Sequence, residues 1–266
     1  MSHAASARSH PFHIIDPSPW PALGSLGALV MAWGGVDYMH GEPPFILLCG
    51  LGLVLLTMVL WWRDVIRESR IDRAHTPPVV NGLQMGMALF IGSEVMFFVA
   101  FFWAYFHNAL HFSPVIGGVW PPAGIETAHA FGLPLANTLI LITSGLTLMW
   151  GKGGIALRQR WRLVAGLAAS IALGLVFLGL QAWEYGLLTY GFREGIFPST
   201  FYMATGFHGF HVFIGVCMLS VMLARALLGH FDGPKHLGFQ FAEWYWHFVD
   251  VVWIFLFVFL YWWVGL

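Results

Sequence analysis

Apolar residues occupy this chain in seven long blocks, separated by short polar or proline-bearing connections. The blocks run from Pro21 to Met39, Phe45 to Trp62, Gly82 to His107, Leu133 to Trp150, Leu163 to Tyr185, Ser199 to Leu228 and Phe239 to Trp263. A helix rises about 1.5 Å per residue, so about twenty residues cross a hydrocarbon core of about 30 Å. The pattern predicts an all-α integral membrane protein with seven transmembrane helices. Trp20, Trp61, Trp62, Trp103, Tyr105, Trp150, Trp161, Trp183, Tyr185, Tyr202, Trp244, Tyr261, Trp262 and Trp263 fall near block ends, where amphipathic rings anchor at the interface. Pro43-Pro44, Pro77-Pro78 and Pro121-Pro122 fall between blocks, where the lost backbone donor is harmless.

Composition agrees with a membrane solvent. Charged residues make up 9% of the chain, against about 25% in soluble domains, and the mean hydropathy is +0.73. The net charge of -1 offers no basic face for nucleic acid. Cys49 and Cys217 lie in apolar blocks with no CxxC pattern and are expected as buried thiols. The first nineteen residues lack the charged-then-apolar pattern of a cleavable signal and are expected to remain as a surface arm. With the N-terminus inside, the inner segments hold Arg8, Arg63, Arg67, Arg70, Arg73, Lys152, Arg158, Arg160, Arg162, Arg225 and Lys235, leaving only Arg193 outside. The positive-inside rule therefore places the N-terminus in and the C-terminus out. The charged connection from Arg63 to Pro78 suggests a boundary between an N-terminal arm with two helices, 1–75, and a five-helix remainder, 76–266. Small residues four apart, at Gly82 and Gly86 and at Gly166, Ser170 and Gly174, suit close helix packing, within the chain or against another subunit.

The informative residues are those that lipid would reject. Glu243, His247 and Asp250 are spaced four and three apart, so a helix projects them from one face. An ionised group at the bilayer centre costs roughly 2.5–3.5 kcal/mol on insertion scales, so this face must turn inward to partners. Glu94 in the third block, His208 and His211 in the sixth, and His247 and Asp250 in the seventh fall at similar depth. Three chemistries fit such a layer. The groups lock helix packing by bonding one another; or a carboxyl is proton-linked, as in a stand-alone proton channel; or the imidazoles hold a metal or haem in a redox protein. The Glu-x-x-His pairs of helical di-metal sites do not occur on these spans. Glu184 and Asp37, near the outer ends of their blocks, are expected to meet interfacial water. Arg67, His75 and Arg225, at inner ends, are either anionic-lipid contacts or ordinary inner-loop cations.

The residue pattern also resembles a known family. Pro17-Ser-Pro-Trp-Pro21, Trp61-Trp-Arg-Asp-Val-Ile-Arg-Glu-Ser69, His75-Thr-Pro77, Ser93-Glu-Val-Met-Phe-Phe98 and Phe101-Phe-Trp103 resemble stretches of subunit III of cytochrome c oxidase. So do Trp120-Pro-Pro122, Asn137-Thr138, Ala204-Thr-Gly-Phe-His-Gly-Phe-His-Val212 and Trp244-Tyr-Trp-His-Phe-Val-Asp-Val-Val-Trp253, the last two being the most specific. The resemblance implies seven helices in two bundles, helices 1–2 and helices 3–7, around a V-shaped cleft that holds structural phospholipid. It implies no cofactor in this chain, with haem and copper in the partner subunits. The implied partner is the catalytic haem-copper subunit I, which this chain would stabilise and whose proton uptake it would support. The implied location is an energy-transducing membrane, the bacterial cell membrane ahead of the mitochondrial inner membrane. By resemblance, Glu94 matches the family's carbodiimide-reactive carboxylate, and lipid contacts fall on Trp62, Arg67, Glu68, His75 and Arg225. Five-helix relatives serve quinol oxidases, so seven blocks favour the cytochrome c type. Relatives often carry two His before Thr-Pro, whereas Ala74 precedes His75 here. The connection from Gly151 to Trp161 carries no motif of the family.

Overall fold

A computed structural model describes residues 11–13, 17–71, 74–111, 118–231 and 236–265. Arg8, Arg73 and Lys235, three of the cations in the orientation count, lie outside the described residues, as does most of the N-terminal arm. All regular structure among the described residues is helical. It comprises α1 (Trp20–Met39), α2 (Phe45–Arg70), α3 (Pro77–Leu110), α4 (Leu133–Ala156), α5 (Arg160–Leu187), α6 (Ile196–Leu227) and α7 (Leu237–Leu256). A π-helical turn, Phe257–Trp262, and a 3-10 turn, Trp263–Gly265, continue α7.

Several helices outrun the apolar blocks that predict them. The 26 residues of α2 reach ~39 Å and the 34 of α3 reach ~51 Å, so both exceed a hydrocarbon core of about 30 Å. Hydrophobicity marks where lipid is, whereas the backbone ladder continues into water as long as the residues tolerate it. Pro77 and Pro78, expected between spans, instead open α3, where the first N–H groups have no intrahelical partner to lose. Six helices, α2 to α7 with the turns that continue it, are long and apolar enough to cross a bilayer. Helix α1 is long enough at 20 residues, but its glycines, Trp20, Trp33 and Asp37 dilute its hydropathy.

The chain divides into two compact units, Met1–Met85 and Gly86–Leu266. In the first, α1 packs on α2 by backbone approach. Gly34 lies against the backbone of Ile46 and Leu47, and Gly50 against Val30 and Met31, so closely that a Cβ at either would collide with main chain. Trp20 closes one end of the pair by donating its indole N–H to Asp64 at 2.8 Å.

In the second unit α7 is the central element. Trp246 and Trp253, seven residues apart on one face, are fully buried. The Trp246 ring occupies a slot left by Gly174 of α5 and Gly215 of α6, where an added Cβ would fall 2.7 Å from ring carbons. Its N–H donates to Ser144 of α4 at 3.0 Å. Two turns on, Trp253 donates to Thr138 of α4 at 2.9 Å, with Phe177 edge-on at 4.7 Å. Helices α4 and α5 meet at Gly151 and Gly166, and Ser170 donates to the Ser144 carbonyl at 2.9 Å. Large apolar side chains point outward, Leu89, Trp103 and Val251 among them, as a lipid solvent allows.

Three expectations are corrected. Cys49 and Cys217 are exposed on the chain's surface rather than buried; a small apolar thiol facing lipid has nothing to gain from burial. Tyr105 and Tyr261, expected as interfacial anchors, are core residues at 0% and 1% exposure. Internal partners meet their hydroxyls: Tyr105 donates to the Phe259 carbonyl of the π-helical turn at 3.0 Å, and Tyr261 accepts from Gln181 at 3.3 Å. Glu184, expected at interfacial water, is 3% exposed.

The glycine seam yields a direct expectation. A Cβ at Gly166 would lie 2.5 Å from Gly151 Cα and 2.7 Å from the Thr147 carbonyl oxygen, both main-chain atoms of α4. Gly166→Leu should force α4 and α5 apart and lower stability by about 1–3 kcal/mol or more. Gly179→Ala, on the same helix with open space beside it, should be neutral or slightly stabilising. Thermal dissociation of the detergent-solubilised protein compares the two.

Candidate functional site

The intramembrane polar residues of the second unit sort into separate contacts, most of them between neighbouring helices. Glu94 projects from α3 toward α6, where its Oε2 lies 2.8 Å from His211 Nε2. His211 Nδ1 lies 2.7 Å from the Phe207 carbonyl one turn back. A carbonyl only accepts, so Nδ1 carries a hydrogen. The bond at Nε2 then holds one proton between imidazole and carboxyl. Wherever that proton resides, the pair adds no net charge to the bilayer, which removes most of the cost of submerging either group. Phe97 and Phe98 of α3 cover the imidazole, with ring centroids at 5.8 and 4.9 Å.

His208, one turn earlier on α6, belongs to a different environment. It is fully buried, and its Nε2 donates to the Val249 carbonyl of α7 at 3.1 Å. Trp253 and Phe177 pack on it at 5.0 and 5.6 Å. His208 thus ties α6 to α7, while His211 ties α6 to α3.

Glu243, His247 and Asp250 lie along the α4 side of α7. Lys152 of α4 places its ammonium 2.9 Å from Glu243 Oε1 and 2.8 Å from Oε2. His247 Nδ1 is 3.2 Å from Asp250 Oδ2. Gly145 of α4 faces both, and a Cβ there would stand 2.6 Å from that oxygen. Read in order, Glu243, Trp246, Asp250 and Trp253 meet Lys152, Ser144, Gly145 and Thr138, so α4 and α7 run antiparallel along one seam. The Lys152 side chain is 54% exposed and that of Glu243 8%: the long stem carries its charge toward water while covering a buried acid. His236, just ahead of α7, is held below the ordinary imidazole range by burial and by the positive charge of Lys152.

Among the described residues, no group of three or more His, Cys, Asp or Glu side chains is arranged to hold a metal ion. The single layer expected from depth is resolved into separate contacts, because depth along a helix does not fix which way a side chain turns about the axis.

The lipid-contact candidates fall in both units. In the first, Trp62 and Arg67 are exposed and Glu68 and His75 half-buried; His13 Nδ1 approaches Glu68 at 4.0 Å. In the second, Arg225 lies over the Phe231 ring at 5.3 Å and donates to Met222 Sδ at 3.8 Å. What sequence reasoning missed is the Trp246 and Trp253 ladder and the buried polar cluster around Glu184. The signal available for the first was two tryptophans seven apart opposite Ser144 and Thr138.

The Lys152–Glu243 contact can be tested by itself. Lys152→Met should lower stability by about 1–3 kcal/mol by stranding a buried acceptor, nearer the lower figure because the ammonium is partly screened by solvent. Adding Glu243→Gln should recover part of the loss, and a double-mutant cycle in thermal stability measures the coupling.

Comparison with known proteins accords with the motif reading. The family model for cytochrome c oxidase subunit III matches residues 10–265. The chain is 52% identical over 261 residues to cytochrome c oxidase subunit 3 of Marchantia polymorpha, covering 97% of this chain and 98% of the relative. Against the proteins of the same name from Arabidopsis thaliana and Danio rerio the identities are 50% and 47%, over 98% and 99% of this chain and 99% of each relative. The chain belongs to the cytochrome c oxidase subunit III family.

Proposed function

We propose that this chain is a non-catalytic, lipid-binding core subunit of a cytochrome c oxidase in aerobic respiration. In this role it packs beside the haem-copper catalytic subunit, stabilises it and supports its proton uptake. The observation that carries the reading is the match to one family from residue 10 to residue 265. The pairing of the submerged groups supports it. Glu94 with His211 and Glu243 with Lys152 are committed to helix–helix contacts, and His247 with Asp250 pair along α7 where Gly145 of α4 packs on them, which is what a scaffold requires.

The topology that goes with this role has α1 as a seventh span, the N-terminus inside and the C-terminus outside, with two helices in one bundle and five in the other. The antiparallel α4–α7 seam accords with α4 to α7 being successive crossings, and the orientation rests on the distribution of Lys and Arg between the connections. With that orientation Arg67 and Arg225 sit at the inner headgroup level, where each contributes about 1 kcal/mol toward anionic lipid. Trp62, Glu68 and His75 complete the headgroup contacts by position. The membrane is an energy-transducing one, the bacterial cell membrane ahead of the mitochondrial inner membrane.

Purification of the tagged chain in mild detergent should bring down a larger haem-containing partner; recovery as a monomer bearing its own haem or metal would overturn the reading. Glu94→Gln keeps a hydrogen-bonding side chain opposite His211, so steady-state oxygen reduction should stay largely intact in an assembled complex. Complete loss of electron transfer in that complex would place the chemistry in this chain. Arg225→Ala should weaken retention of anionic phospholipid about fivefold, the equivalent of about 1 kcal/mol, as read by lipid mass spectrometry of the purified complex.

A further inference from the structure

Glu184 is the one carboxyl among the described residues with both oxygens buried and neither meeting the geometry of a formed hydrogen bond. It lies on α5 one turn from Gln181, and Gln181 and Tyr261 stand close enough to act on it as hydrogen-bond donors without closing a bond of ordinary geometry. Asn137 of α4, fully buried, joins the same cluster: its Nδ2 donates to Gln181 Oε1 at 3.5 Å, and Gln181 Nε2 donates to Tyr261 at 3.3 Å. Asn137 Oδ1 is also without a donor. Three acceptors are therefore unmet in one enclosed place.

The shortfall is one of distance rather than number. The second amide hydrogens of Asn137 and Gln181 and the Tyr261 hydroxyl remain as donors; Gln181 and Tyr261 come near the carboxyl, yet no bond of ordinary geometry closes on an unmet acceptor. Elsewhere in the unit, bonds between side chains close tightly: 2.7 Å for Tyr185 with Thr205, 2.9 Å for Trp253 with Thr138, 3.0 Å for Trp246 with Ser144. At 3.5 and 3.3 Å the direct bonds of this cluster are among the longer ones of the unit, with Trp120 to Tyr105 at 3.5 Å. Side chains that stand slightly too far apart, with donors and acceptors in balance, call for a small group that is both donor and acceptor. Tyr261 is also presented from the π-helical turn Phe257–Trp262. Irregular backbone at membrane depth is tolerated where it is buried in protein or lines a hydrated space.

We propose that Asn137, Gln181, Glu184 and Tyr261 form an internal water site between α4, α5 and the π-helical end of α7. Water there bridges the Glu184 carboxyl to the neighbouring amides and phenol, and so completes the hydrogen bonding that the side chains leave open. The site is separate from the Glu94–His211 pair, which is closed by direct contact.

The test is a density map of the chain in its purified native assembly, fine enough to show ordered solvent, for the wild type and Glu184→Leu. The wild type should show at least one solvent peak about 2.6–3.2 Å from the carboxyl and from a second member of the cluster, and Glu184→Leu should lose it. A wild-type map with Glu184 bonded directly to Tyr261 or Gln181 and no solvent peak overturns the proposal. So does a peak with several oxygen contacts near about 2.4 Å, which marks a metal cation, or a peak that persists in Glu184→Leu. Should Glu184→Leu fail to assemble, Glu184→Gln serves instead: retention of the peak supports the site, and its absence from the wild-type map still refutes it.

Discussion

A bilayer interior offers no hydrogen bonds, so every polar side chain submerged in it must find its partner within the protein, on its own helix or on another. The second unit is arranged around that constraint, and the α4–α7 seam shows how it is met. Trp246 and Trp253 supply large apolar rings that fill the space between helices, and each carries a single N–H that must go somewhere. Ser144 and Thr138 accept those hydrogens. Gly174 and Gly215 make the arrangement possible, because any side chain at either would occupy the slot that the Trp246 ring fills. Lys152 and Glu243 close the same seam at one end.

The submerged acids and imidazoles follow the same logic. In water, Glu94 and His211 would gain little from each other. In lipid, sharing one proton at 2.8 Å makes them jointly neutral and fastens α3 to α6. His208 fastens α6 to α7 through a backbone carbonyl. The first contact links helices far apart in the chain and the second fastens consecutive ones, so the unit is braced by both. On the proposed function, such bracing is how this chain would act on a redox centre in a neighbour: by holding the neighbour's shape and the lipid around it.

Much of the fold was legible in the sequence, because apolar blocks of about twenty residues bounded by polar connections admit few structures. The number and order of the helices could be read directly. Their ends could not: Pro77, Pro78 and the stretch after Trp62 are helical beyond the apolar block. Rotation about each axis was harder still. Tyr105, Tyr261 and Glu184 stand near block ends, and nothing local shows that they turn into the unit instead of toward water. The Glu94–His211 pair spans 117 residues, a separation no periodicity encodes, although both residues could be singled out as costly in lipid. The family resemblance carried what spacing could not.

On the proposed function these side chains neutralise one another and build a scaffold, with the redox chemistry elsewhere. A metal-edge anomalous scattering map of the assembled oxidase tests it most directly. The expected result is strong iron and copper peaks in the neighbouring subunits and none within this chain. An iron or copper peak ligated by His208, His211 or His247 would contradict it.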